Sequence, residues 1–75
     1  LHLGDAPGAV AAFEAAVRIA PGRAALHADL GYALLAARRP AEARAACREA
    51  LRLAPDSADA WNNLGSAHDA LGELR

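Results

Sequence analysis

The side chains able to do chemistry are few in this chain, and their spacing decides what they can do. His27, His68 and Cys47 are candidate soft ligands, but no two of them stand at metal-ligand spacing in one segment. No C-x-x-C or clustered Cys/His pattern suggests zinc, so no metal is expected. A lone thiol cannot close an intrachain disulfide, and no neighbouring pattern argues for a reactive Cys47. That usage is compatible with a reducing, cytoplasmic setting. The serines, Ser57 and Ser66, are explained by helix capping and by a helix surface. Glu42 and Glu49 share one segment seven residues apart, with nothing to suggest a concave site between them. No Gly-rich phosphate loop, H-E-x-x-H or nucleophile elbow is present. The chain is therefore read as a non-enzyme without a cofactor.

Amides are what remain. The stretch "DAWNNLGSAHD" places Asn62 and Asn63 side by side inside a helical segment of a chain otherwise filled with alanine. Each Asn costs about 0.5 kcal/mol more than Ala at a helical position. An Asn amide offers both a donor and an acceptor, which suits it to pairing with a peptide backbone. The pair is the leading candidate for ligand contact.

The elements that position these residues follow from composition and punctuation. With 75 residues the chain makes at most one small domain, and a chain this short buries only about 60% of its unfolded surface. Ala dominates while β-branched and aromatic residues are scarce, which favours helix over sheet. Turn signals at "GDAPG", "APGR", "RRPAE", "APDS" and "LGEL" leave four helical segments, about Pro7–Ala20, Ala24–Ala37, Pro40–Leu53 and Ala58–Leu71. Their apolar residues recur at helical spacing, as in His27, Leu30, Gly31 and Leu34. Ser57, or Asp56 before it, is placed to cap the last helix, and Pro40 suits the first turn of the third. Gly4 and Gly72 fit the left-handed position after a helix. Arg38 occupies the equivalent place in the middle turn, which predicts a strained residue or a different helix end there.

Net charge is −1, from eight Arg and nine acidic residues spread along the chain. No basic tail or acidic tract argues for nucleic acid or a membrane surface. No apolar run approaches the roughly 20 residues that span a bilayer, and the N-terminus lacks signal-peptide character. Arg44, Arg48 and Arg52 form a row at i, i+4, but Glu42 and Glu49 interleave and no aromatic platform accompanies it. The row reads as a solvated outer face.

The segments repeat. Sliding the chain by 34 residues superposes Pro21 on Pro55 and Leu30-Gly31 on Leu64-Gly65, while Val17-Arg18-Ile19-Ala20-Pro21 mirrors Leu51-Arg52-Leu53-Ala54-Pro55. These residues resemble the tetratricopeptide repeat family, whose pattern is W-x-x-L-G-x-x-Y, then A-x-x-x-F-x-x-A, then P, in a helix–turn–helix unit. Trp61, Leu64 and Gly65 match the first half, with His68 in the Tyr place. His27, Leu30, Gly31, Leu34, Ala43, Cys47, Ala50 and Pro55 fill a complete unit, and Ala9, Phe13, Ala16 and Pro21 supply a second half. The resemblance implies an all-α fold of antiparallel helix–turn–helix repeats of period 34, stacked as an α-solenoid of four helices. It divides the chain into the second half of a repeat (1–23), a complete repeat (24–57) and the first half of another (58–75). It also implies a fragment of a longer array, with end helices whose apolar faces could pair between copies. In this reading His27, His68, Cys47, Trp61 and Phe13 are packing residues.

By the same resemblance, the first helix of each unit lines a concave groove that holds a peptide or partner protein. Its positions here are Ala25, Ala28, Asp29, Tyr32, Leu35 and Ala36, then Asp59, Asn62, Asn63, Ser66, Asp69 and Ala70. They lie off the Trp61–Leu64–Gly65–His68 stripe. Asp29, Tyr32, Asn62, Asn63, Ser66 and Asp69 are the expected contacts. One subclass of the family grips a C-terminal carboxylate with Lys, Arg and Asn, but this groove carries Asp29, Asp59 and Asp69 and no cation, which disfavours that ligand. Asn63 is similar instead to the groove asparagine of arrays fused to O-linked N-acetylglucosamine transferases. The expected function is a protein-interaction scaffold. The alternatives are a substrate-recruiting part of a multidomain enzyme such as a glycosyltransferase, or a purely structural, self-associating repeat.

Overall fold

A computed structural model describes residues 6–72. Four helices follow one another: α1 (Ala6–Ile19), α2 (Ala24–Ala36), α3 (Pro40–Leu53) and α4 (Ala58–Ala70). Each boundary lies within one residue of the sequence expectation, because local chemistry sets the ends. The Ser57 hydroxyl accepts the Ala60 N–H at 3.2 Å and so caps α4, leaving Asp56 out of that role. Pro40 opens α3, where its missing N–H has no intrahelical partner to lose. Gly72 follows α4 in the left-handed region at φ 73°. Gly4 lies outside the described residues.

Arg38 resolves the open question at the middle turn. Its φ is 63°, so a side chain with a β-carbon occupies the place glycine usually takes. The Arg39 N–H donates to the Leu34 carbonyl at 2.8 Å and the Arg38 N–H to the Leu35 carbonyl at 3.1 Å. Those two bonds close the end of α2 as a Schellman turn and hold the arginine in its strained conformation.

Helix α2 packs against all three others, and α3 bridges α2 and α4. The Cα trace is only 16 Å thick in its shortest dimension, which fits two layers of helices about 8–10 Å apart. Small residues make that approach possible. Ala33, Ala43, Ala50, Ala60 and Ala67 are fully buried, as is Cys47. Gly31 stands at a close approach: a β-carbon there would stand 2.6 Å from Cys47 Sγ.

Two expected packing residues are placed otherwise. Trp61 is 56% exposed, because no helix covers that side of α4 among the described residues. Its indole N–H donates to the Pro55 carbonyl at 2.8 Å. His27, 34 positions earlier, is buried and makes the same bond, Nε2–H to the Pro21 carbonyl at 2.8 Å. Two different rings thus tie the turn to the first helix at equivalent places. Phe13 is half-buried rather than enclosed, with one side on the core and the other open to a cavity.

Candidate functional site

Helices α2 and α4 lie in contact, and the surface they share is concave. One cavity of about 390 Å³ is lined by Phe13, Asp29, Tyr32, Asp59, Asn62 and Asn63. A second, of about 320 Å³, continues along Tyr32, Leu35, Ala36, Asn62, Asn63 and Ser66. The two share Tyr32 and both asparagines, so they form one trough. Leu35 and Ala36 carry it on toward a third hollow beside Arg38, Pro40 and Ala70.

The helical period explains why these residues meet. Asp29, Tyr32 and Ala36 stand at i, i+3 and i+7 on α2, as Asp59, Asn62, Asn63 and Ser66 do at i, i+3, i+4 and i+7 on α4. Five of the six expected contact residues therefore line the trough, namely Asp29, Tyr32, Asn62, Asn63 and Ser66. Asp69 does not line either cavity. Ala28, assigned to the groove by the family resemblance, is instead buried in a small cluster with Ala50 and Ala60. Phe13 is the residue sequence reasoning placed elsewhere. Its signal was its position 34 residues before Cys47: the larger ring at the same register reaches past the helix contact and into the trough.

The two asparagines have different surroundings. Asn63 is half-buried, and its amide N–H donates to the Ala28 carbonyl of α2 at 3.1 Å. It is a tie between neighbouring helices first, which leaves its amide oxygen and one N–H for a ligand. Asn62 is exposed and lines both cavities, and its amide makes no side-chain hydrogen bond among the described residues. Tyr32 is 44% exposed and offers a ring face and a hydroxyl to the same space.

Charge is distributed by face. Along α3, Arg39 just before the helix holds Glu42 in a two-pronged ion pair at 2.7 Å, and Arg52 grips Glu49 in the same way. These hydrogen bonds keep both glutamate carboxyls below the usual carboxylate range. Neither Asp29 nor Asp59 makes an ion pair among the described residues. Cys47 is wholly buried, and desolvation pushes its thiol up from the ordinary value, away from the reactive thiolate. No group of three or more His, Cys, Asp or Glu side chains among the described residues could hold a metal ion. No described helix is long and apolar enough to cross a membrane.

Among the described residues, four helices with equivalents 34 residues apart, a glycine at a close crossing and a concave α2–α4 surface define the class of helical repeat proteins. The sequence matches the tetratricopeptide repeat family over residues 1–61 and again over 34–75, and the chain belongs to that family. The second match begins about one repeat after the first, as internal repetition requires. No curated protein and no solved structure matched the chain. Tetratricopeptide repeats generally mediate protein–protein interaction and are generally not catalytic.

Proposed function

We propose that this chain is an interaction scaffold whose α2–α4 trough holds an extended segment of a partner protein. In this reading residues 24–57 form a complete repeat, flanked by half-repeats at 1–23 and 58–75. The observation that carries it is the exposed Asn62 beside the exposed Tyr32 on a continuous concave surface. A peptide backbone presents alternating N–H and C=O groups, and an amide side chain can satisfy either one. Leu35, Ala36 and Ser66 leave room for side chains of modest size farther along.

Asn62 is the position to test, because Asn63 also ties α4 to α2. Replacement of Asn62 by Ala removes both polar groups from the trough and leaves the helix a better former. Peptide affinity, read by fluorescence polarisation against a capped peptide library, is expected to fall about fivefold, the worth of one net hydrogen bond. Arg48→Ala on α3 is the control and leaves binding unchanged. Equal binding by both variants would remove the trough from consideration, and loss confined to Arg48→Ala would move the site to the α3 face.

A second reading rests on Trp61. Its exposed ring, with Leu64, Gly65 and His68, lines a hollow of about 400 Å³ on the other side of α4. That surface suits self-association between copies. Light scattering across a concentration series checks it, and a mass that stays monomeric throughout excludes it.

A further inference from the structure

The trough is uneven in charge, and the unevenness says what it selects. Its first cavity carries two carboxylates, Asp29 and Asp59, and two aromatic rings, Phe13 and Tyr32, with no Arg or His on its wall. Its far end carries Arg38. Asp59 has a local reason to be acidic, since it sits in the first turn of α4, where a negative charge meets the positive end of the helix. Asp29 has no such reason. It lies beyond the first turn of α2 in a chain that elsewhere supplies alanine, and Asp is among the poorer helix formers. Arg39 and Arg52 are engaged with Glu42 and Glu49, and no ion pair among the described residues reaches Asp29.

Resting on the trough reading above, we propose that this cavity seats the cationic side chain of an Arg or Lys in the bound segment. A guanidinium or ammonium there meets carboxylates from two helices, the amide oxygen of Asn62, and the faces of Phe13 and Tyr32. Charge-assisted hydrogen bonds and cation–π contact both favour the positive group. A concave surface of one sign also draws opposite charge into it. The selection is positional. Arg38 disfavours a second cation at the other end, so the segment carries its basic residue at the Asp29–Asp59 end and not along its whole length.

The test uses a positional-scanning library of hexapeptides, N-acetylated and C-amidated so that no terminal charge contributes. It is applied to the wild-type chain, to the Asp29→Asn/Asp59→Asn double variant and to Asn62→Ala. The expected result is enrichment of Arg and Lys at one position. The double variant is expected to bind the enriched peptides about tenfold more weakly, with circular dichroism showing the same helix content. Raising salt from roughly 50 to 500 mM should weaken wild-type binding more than that of the double variant. Enrichment of neutral or acidic residues overturns the proposal, and so does Arg enrichment that survives in the double variant. If Asn62→Ala weakens binding while no basic preference exists, the charge proposal falls and the trough reading stands. If no peptide responds to Asn62→Ala, both fall together.

Discussion

A β-carbon added at Gly31 would stand 2.6 Å from Cys47 Sγ, nearer than non-bonded atoms pack, and Cys47 is wholly buried with little room to yield. Gly65, the same position one repeat later, has nothing within 4 Å of its added β-carbon. Identical residues in equivalent helices therefore carry opposite expectations. Gly31→Ala should destabilise by about 1–3 kcal/mol through overpacking, whereas Gly65→Ala should stabilise by up to about 1 kcal/mol through helix propensity. Urea unfolding of the two single variants checks both signs. Adding Cys47→Ala to Gly31→Ala should recover part of the loss, since the clashing atom is then gone. The buried thiol supplies a second check: burial raises its pKa, so thiol-reagent labelling in native buffer should track the unfolding equilibrium and accelerate in urea.

Helix ends were legible in the sequence because caps are local. Ser57, Pro40 and Gly72 act within a few residues of themselves, and each does what its type dictates. Arg38 was legible as a departure for the same reason. With φ at 63° it carries a β-carbon where none is favoured. Arg38→Gly should raise stability by about 1 kcal/mol, read as a higher urea midpoint with an unchanged slope. What the sequence could not supply was the rotation of one helix against its neighbour. The N–H of Asn63 reaches the Ala28 carbonyl only because α4 lies against α2, and that tie divides the asparagine pair into one helix clamp and one open amide. Asn63→Ala should cost about 1 kcal/mol, and Asn63→Asp more, because a carboxylate would face the carbonyl without a donor. Asn62→Ala should leave stability level or slightly higher. That contrast separates the roles of two adjacent residues of one type.

At the scale of the whole molecule, the family resemblance made the groove legible, and helical spacing agreed within each helix, Asp29 with Tyr32 on α2 and Asn62, Asn63 with Ser66 on α4. Phe13 and Trp61 were harder to place because their burial depends on which helices stand beside them. Charge on the α3 side is simpler. Arg39 and Arg52 lower the carboxyls of Glu42 and Glu49 by hydrogen bonding, so any stability they contribute is present above the ordinary carboxylate pKa and lost as pH falls through the depressed values. The effect should be small at these exposed sites, weakened by salt and removed by Glu42→Gln/Glu49→Gln, as followed by urea midpoints between neutral pH and about pH 3. The open side of α4 gives the larger consequence. His27, Leu30, Gly31 and Leu34 on α2 receive α3 at close range, and Trp61, Leu64, Gly65 and His68 repeat that spacing on α4. If copies pair there with the geometry α2 and α3 already use, a large side chain at Gly65 blocks the approach while leaving the monomer untouched. Wild-type unfolding midpoints should then rise with protein concentration, since association stabilises only the folded chain. Gly65→Leu should abolish that rise without lowering the midpoint in dilute solution, because its added β-carbon meets nothing within 4 Å. A midpoint independent of concentration in the wild-type chain would show that copies do not pair on this face.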